Sequence, residues 1–279
     1  MPLLTVEDLV KGDEKEVETL VGIASGISET YDRYQDEDKG DTHTRAPGLH
    51  ASEISGCMRR SVYSLMGEKR IERTALHWKR RFKTGHAIHD MFQKDFHKMA
   101  KRDDLLVTFQ DEVKLKPCVE QPLSAKWDVQ SSADGIFTLW EEKDGEKKPF
   151  IRVLLEIKTA SPTDFEKLNG PKEEHIDQAT MYMACLDVPL VWFLYYNKGN
   201  QNFTPSTNPS FFRRFEPKRW ATLEDRFEKI HTHAALKTLP DRQESVLCEF
   251  CAFSHVCEPN ILKVHRSGHK PPPAHWGKR

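Results

Sequence analysis

The chain lacks any long apolar run. Its longest, Val188–Tyr196, has nine residues, under half of the roughly 20 that a membrane-spanning helix needs. A helical membrane protein is therefore excluded. The first residues, Met1-Pro2-Leu3-Leu4-Thr5-Val6-Glu7-Asp8, have no basic stretch leading into an apolar core. No secretory leader is expected from them, and a cytoplasmic location is. No G-x4-G-K-[ST] occurs, which removes a P-loop motor from consideration. There is no internal repeat. Cysteine is sparse, with six in 279 residues. Without a leader the expected compartment is reducing, where clustered cysteines point to metal or redox chemistry rather than disulfides.

What is present is enough for one large or two small folded domains: 279 residues, 38% hydrophobic and 30% charged. A formal net charge of −1 hides strong segregation. Residues 1–41 hold twelve Asp/Glu against four Lys/Arg, whereas residues 59–102 hold thirteen Lys/Arg against four Asp/Glu. A basic block of that kind is either a phosphate-binding surface or a solvated helix face.

Residues 4–35 have the spacing of an acidic amphipathic helical region, with Leu9, Val17, Leu20, Val21 and Ile27 inward. The polar stretch 35–47 has the composition of a linker. Helices are expected over 51–66 and 73–100. Strands are expected over 105–116, 129–140 and 149–157, the last two joined at Asp144-Gly145, a strong hairpin signal. A helix over 172–186, an apolar strand over 189–197, a strand near 211–216 and a helix over 217–237 follow. From 259 the chain carries five Lys/Arg, no acid and Pro271-Pro272-Pro273, the composition of a disordered basic arm. The order gives an α/β class, a mixed sheet core with a helical attachment. The expected division is an extension over 1–47, a main domain over 48–258 with a basic helical insert at 59–102, and the tail over 259–279.

One constellation carries chemistry. Glu156-Ile157-Lys158 closes the apolar strand, and a period of two puts Glu156 and Lys158 on one face with Ile157 on the other. A carboxylate can bind a divalent cation, and a lysine beside it offsets charge growing on phosphoryl oxygens. Acid-x-Lys also occurs elsewhere, at Asp13/Lys15, Glu37/Lys39, Glu112/Lys114, Glu141/Lys143 and Glu146/Lys148 among others. Position 156 differs because it ends a buried-type strand and follows Asp134, which lies in the strand across the hairpin. The alternative is a surface salt bridge. Gln178 and Tyr182, at i and i+4, share a helix face. His89 lies on the long basic helix, as a neutral metal ligand or as an ordinary helical histidine. Trp78, Phe82 and Phe92, at helical spacing, suit either base stacking or the core, and the core is the expectation.

In order, Gly85-x3-His89, Ala133-Asp134-Gly135, Glu156-Ile157-Lys158 and Gln178-x3-Tyr182 resemble the motif series of the RecB-like nucleases of the PD-(D/E)XK superfamily, over roughly residues 48–260. The resemblance implies a restriction-endonuclease-like fold. It implies Mg2+ or Mn2+ held by His89, Asp134, Glu156 and the carbonyl of Ile157, and a catalytic Lys158. Gln178 and Tyr182 would contact the active site and DNA. The implied activity is exonucleolytic hydrolysis of DNA phosphodiesters on single-stranded ends, in phage or prokaryotic recombination, repair or processing, with other recombination or replication proteins as partners. The competing reading is a non-catalytic DNA-binding subunit of a larger complex. Arg59 and Arg60 are the candidate phosphate contacts in the basic block.

Cys248-x2-Cys251-x5-Cys257 places three thiolates within ten residues, one short of a zinc site or an iron–sulfur cluster. Cys57 is the candidate fourth, and His255 a substitute. Cys118 and Cys185 have the surroundings of ordinary buried cysteines. One upstream cysteine followed by this trio resembles the iron–sulfur branch of the same nucleases, which includes the CRISPR-associated adaptation nuclease and its phage exonuclease relatives. That resemblance implies a 4Fe-4S cluster clamping the two ends of the domain, with zinc as the alternative occupant. Met58 departs from the proline that commonly follows the first cysteine in that branch.

Overall fold

The structure is a computed structural model that describes residues 25–34, 48–71, 76–102, 106–204, 208–245, 248 and 251–257, without the side chains of 76–78. The chain divides into two compact units, Met1–Arg45 with Thr74–Arg81, and Ala46–Arg73 with Phe82–Arg279. In the first unit residues 25–34 are helical, and Asp32 pairs with Arg80. Ile27, expected inward, is exposed. Leu9, Val17, Leu20, Val21, the 35–47 linker and the tail from 259 lie outside the described residues.

The second unit is built on a mixed sheet of five strands, β1 (Val107–Leu115), β2 (Ser131–Lys143), β3 (Glu146–Ala160), β4 (Leu190–Asn197) and β5 (Phe212–Arg214), in the order β1-β2-β3-β4-β5. The first three form an antiparallel meander. Asp144 and Gly145 turn β2 into β3 with φ of 55° and 74°, the two positive values that a type I′ turn needs. β3 and β4 pair in parallel, so a crossover must separate them. It consists of the short helix Pro162–Glu166 and the helix Glu173–Leu186.

Five helices complete the part of this unit that matters for the site: α1 (Met58–Leu65), α2 (Leu76–Ala100, the portion from Phe82), α3 (Pro162–Glu166), α4 (Glu173–Leu186) and α5 (Pro217–Ala235). The central strands are apolar on both sides, as strands covered on both faces must be. Val153, Leu155 and Ile157 of β3 join Phe92, Phe109, Phe137 and Leu194 in one cluster. Leu154 joins a second, larger cluster with Val191, Phe193, Met181 and Phe227.

Two expected elements are interrupted. The helix over 51–66 is a 3-10 turn, Ala51–Glu53, and then α1. Gly56, a poor helix residue, and the extended Cys57 (φ −62°, ψ 123°) separate them. The strand over 211–216 shrinks to Phe212–Arg214 because Pro209 opens a 3-10 turn before it and Pro217 opens α5 after it. No described helix is long and apolar enough to cross a membrane.

Candidate active site

The β2–β3 register sets Gly135 opposite Leu155, which brings Asp134 next to Glu156. The strand period turns Glu156 and Lys158 towards α4, away from the cluster that takes Ile157. Glu156 is 1% exposed. Its Oε1 lies 2.6 Å from Lys158 Nζ, and Lys158 Nζ also donates to Gln178 Oε1 at 3.0 Å. Burial raises the Glu156 pKa to about 7; Lys158 opposes this and Asp134 adds to it. Burial works against the charge on Lys158, but Glu156 and Asp134 outweigh it and raise its pKa. The ammonium therefore stays charged.

Asp134 is held from two sides. Its Oδ2 accepts from the backbone N–H of Ile157 at 2.6 Å, and its Oδ1 lies 3.0 Å from His89 Nδ1 on α2. Burial would lower the His89 pKa, but its bond to Asp134 and that residue's charge raise it overall. The N–H of Ile157, the residue expected to act through its carbonyl, is thus what anchors Asp134. Tyr182 reaches it indirectly. Its hydroxyl donates to the Ser132 carbonyl at 2.7 Å and pins α4 to β2 two residues before Asp134. Gln178 touches Lys158, so both members of the helical pair converge on the site by different routes.

Two further residues belong to this network. Gln93, four residues after His89 and so on the same face of α2, donates from Nε2 to the Asp134 carbonyl at 2.8 Å and to Glu112 Oε1 at 3.1 Å. Glu112 Oε2 accepts from Ser132 Oγ at 2.7 Å. Glu112 has φ 45°, which a non-glycine strand residue rarely adopts. It sits between the pairs Asp111–Gly135 and Val113–Ala133, across from Asp134. The i+4 step from His89 is a signal that finds Gln93 in the sequence. Nothing in the sequence separates Glu112 from the other acid-x-Lys pairs.

Glu156 Oε2 is buried and has no hydrogen-bond partner among the described residues. A buried carboxylate oxygen left bare is costly, and a divalent cation is the partner that its chemistry, with Asp134 and the His89 imidazole beside it, fits. As the side chains stand, no three His, Cys, Asp or Glu among the described residues converge on one ion position; the site acids are engaged by Lys158, Ile157 and His89.

Cys57, Cys248, Cys251 and Cys257 line a single narrow cavity of about 70 Å³, together with Arg59, Arg60 and Arg242. The two segments that meet there, one before and one after the sheet in sequence, are joined by protein contacts. Ile71 N–H donates to the Ala252 carbonyl at 3.0 Å, the Tyr63 hydroxyl donates to the Val256 carbonyl at 3.3 Å, and the Tyr63 and Phe253 rings stack at 5.7 Å. Burial raises the Cys251 thiol pKa; Arg60 opposes this, and Cys57 and Cys257 reinforce it. Four thiols with no lining carboxylate among the described residues, ringed by guanidiniums, suit an anionic thiolate-bound cluster or zinc. Cys185 is buried, Cys118 is only half-buried against expectation, and neither lines the cavity; nor does His255.

Arg59 and Arg60 face this cavity rather than a free basic surface. Arg59 Nε donates to the Pro240 carbonyl at 2.6 Å, and Arg60 pairs with the buried Glu53 at 2.6 Å. Both guanidiniums have protein partners, which counts against the DNA contacts expected of them. Of the three aromatics, Phe92 is in the core and Phe82 is exposed. The Trp78 side chain lies outside the described residues.

No protein-family model and no curated protein matches the chain. Solved structures similar to it include that of LHK-Exo, an alkaline exonuclease from Laribacter hongkongensis, at TM-score 0.47 and 14% identity over 70% of this chain and 91% of that one. The same protein in complex with dAMP gives a TM-score of 0.46 and 16% identity over the same shares. SSO0001 gives 0.42 and 12% over 83% of this chain and 95% of that one. These likenesses are distant.

Proposed function

We propose that the chain is a divalent-metal-dependent deoxyribonuclease of the RecB-like PD-(D/E)XK kind, acting as an exonuclease on single-stranded DNA ends. The observation that carries this reading is the buried Glu156 Oε2, without a hydrogen-bond partner among the described residues, beside Asp134, His89 and a charged Lys158. Mg2+ or Mn2+ bound there would supply Lewis-acid polarisation of a phosphoryl oxygen and a hydroxide from water. Asp134, Glu156 and His89 would hold it. Lys158, fixed between Glu156 Oε1 and Gln178 Oε1, keeps a positive charge where negative charge grows on the phosphoryl oxygens. Asp134, anchored by the Ile157 N–H, cannot swing away when the strand end is loaded. The four cysteines hold a 4Fe-4S cluster in this reading, with zinc the alternative occupant.

Digestion of 5′- and 3′-labelled single-stranded DNA with Mn2+ tests the proposal. Wild-type protein should shorten the label progressively, and Glu156→Gln should lower the rate by at least about 10²–10³-fold while remaining folded by circular dichroism. A folded wild-type protein that binds the DNA without cutting it would instead establish a non-catalytic DNA-binding subunit.

A further inference from the structure

Beside Lys158 lies a second polar pair that the mechanism above leaves unused. Tyr195 of β4 stands in register with Lys158 of β3 and is buried. His175 lies on α4 three residues before Gln178, on the same helix face. The Tyr195 hydroxyl oxygen accepts from the backbone N–H of Lys172 at 3.1 Å and lies 2.6 Å from His175 Nδ1. The buried hydroxyl's own proton needs an acceptor, and among the described residues the one at hydrogen-bond distance is His175 Nδ1, an assignment that leaves Nδ1 bare. The proton of the neutral ring then sits on Nε2. Burial, followed by the charges of Lys158 and Lys172, pushes the His175 pKa down to about 3, so the ring stays neutral. Nε2–H has no hydrogen-bond partner among the described residues, and the side chain is only half-buried.

We propose that His175 is a substrate-positioning residue whose Nε2–H donates to a non-bridging oxygen of a DNA phosphate held beside Lys158. This rests on the nuclease reading. The chemistry favours an anionic oxygen, because the ring offers a fixed donor next to one ammonium and one turn from Gln178. Neutrality has a purpose there. An imidazolium beside Lys158 would repel it, whereas a tautomer-locked neutral ring adds a hydrogen bond without a second charge.

Two measurements on the full chain test it. In ¹⁵N-histidine spectra the resonances missing from His175→Gln belong to His175. They should show a bare Nδ1 and a protonated Nε2, unchanged between about pH 5 and 8. In kinetics, His175→Leu should raise KM for single-stranded DNA about tenfold or more with kcat little changed. His175→Gln, which carries an amide N–H at similar reach, should recover most of the loss. A ring protonated on Nδ1, or a folded His175→Leu protein with wild-type KM, overturns the proposal. Wild-type cleavage that vanishes in Glu156→Gln establishes the reaction separately from His175. If wild-type protein does not cleave, the nuclease reading fails by itself. Single-stranded DNA affinity measured with Ca2+ then tests the phosphate contact, and equal affinities for wild type and His175→Leu overturn it.

Discussion

The backbone N–H of Ile157 donates to Asp134 Oδ2 at 2.6 Å, so the acid of one strand is latched to the strand that carries Glu156 and Lys158. The latch fixes one oxygen of Asp134 and leaves the other facing His89. Gln93 holds the same residue by its carbonyl, and through Glu112 it ties α2 to β1 as well. Asp134 is thus positioned at both its side chain and its backbone.

Gln93→Leu should therefore lower the cleavage rate about 10–100-fold, the usual effect of losing a partner that orients a metal-binding side chain, and weaken the response to Mn2+. Titration of the rate with Mn2+ checks this. A rate and half-saturation equal to wild type would show that Asp134 is held well enough by Ile157 and His89.

The buried Glu156 makes the stability of the metal-free protein depend on pH in a definite sense. Its folded-state pKa, about 7, lies above the ordinary value of 4.5, so the folded state binds this proton more tightly than the unfolded state. The resulting stabilisation is fully present below about pH 4.5 and is lost as pH rises through about 7. Thermal melts in the presence of a chelator should show wild-type protein losing stability relative to Glu156→Gln over that window. Added Mn2+ should offset the loss in wild type only. Parallel melting curves for the two proteins would contradict the origin assigned to the shift.

Gly135, next to Asp134, has no room for a side chain. A Cβ there would clash with the Phe109 ring at Cε2 and meet the Gln110 carbonyl at 3.1 Å. Phe109 cannot yield easily, because its ring packs against Phe96, Phe137 and His97. Gly135→Ala should cost about 1–3 kcal/mol, as overpacking does, and should disturb Asp134 through the shifted strand. Urea denaturation checks the first effect and the Mn2+-dependent rate the second. A Gly135→Ala protein of wild-type stability would mean that the Phe109 ring has a free alternative rotamer.

Much of this arrangement was legible in the sequence for physical reasons. Alternation in Phe150–Lys158 places Glu156 and Lys158 opposite Ile157, and Asp144-Gly145 specifies the tight turn that brings Asp134 alongside. Gln178 and Tyr182 follow from the helical period. Less legible were contacts that depend on tertiary placement. Arg59 and Arg60 look like free charges in a basic block, but their partners are Pro240 and Glu53, and the first lies far along the chain. Glu112 is one of several acid-x-Lys pairs, and only its backbone at φ 45° and its place across from Asp134 set it apart. His175 and Tyr195 meet because β3 and β4 are parallel, a register that local pattern does not encode.

The cysteine cavity yields the last prediction. Cys57 and Cys248 are about 190 residues apart, and a cross-link closing a loop of that length removes unfolded-state entropy on the order of 5 kcal/mol by analogy with a disulfide. Protein purified without oxygen should be brown, with iron and sulfide in nearly equal amounts. Cys57→Ser, Cys248→Ser, Cys251→Ser and Cys257→Ser should each lose the colour and melt at lower temperature. The loss should fall short of complete unfolding, because Ile71–Ala252 and the Tyr63–Phe253 stack join the same two ends without metal. Cys118→Ser and Cys185→Ser should keep full metal content, since neither side chain lines the cavity. A colourless protein with one zinc per chain would replace the cluster while keeping the clamp. Full iron content in Cys57→Ser would remove Cys57 from the ligand set and, with it, the metal-mediated link between the two ends of the domain.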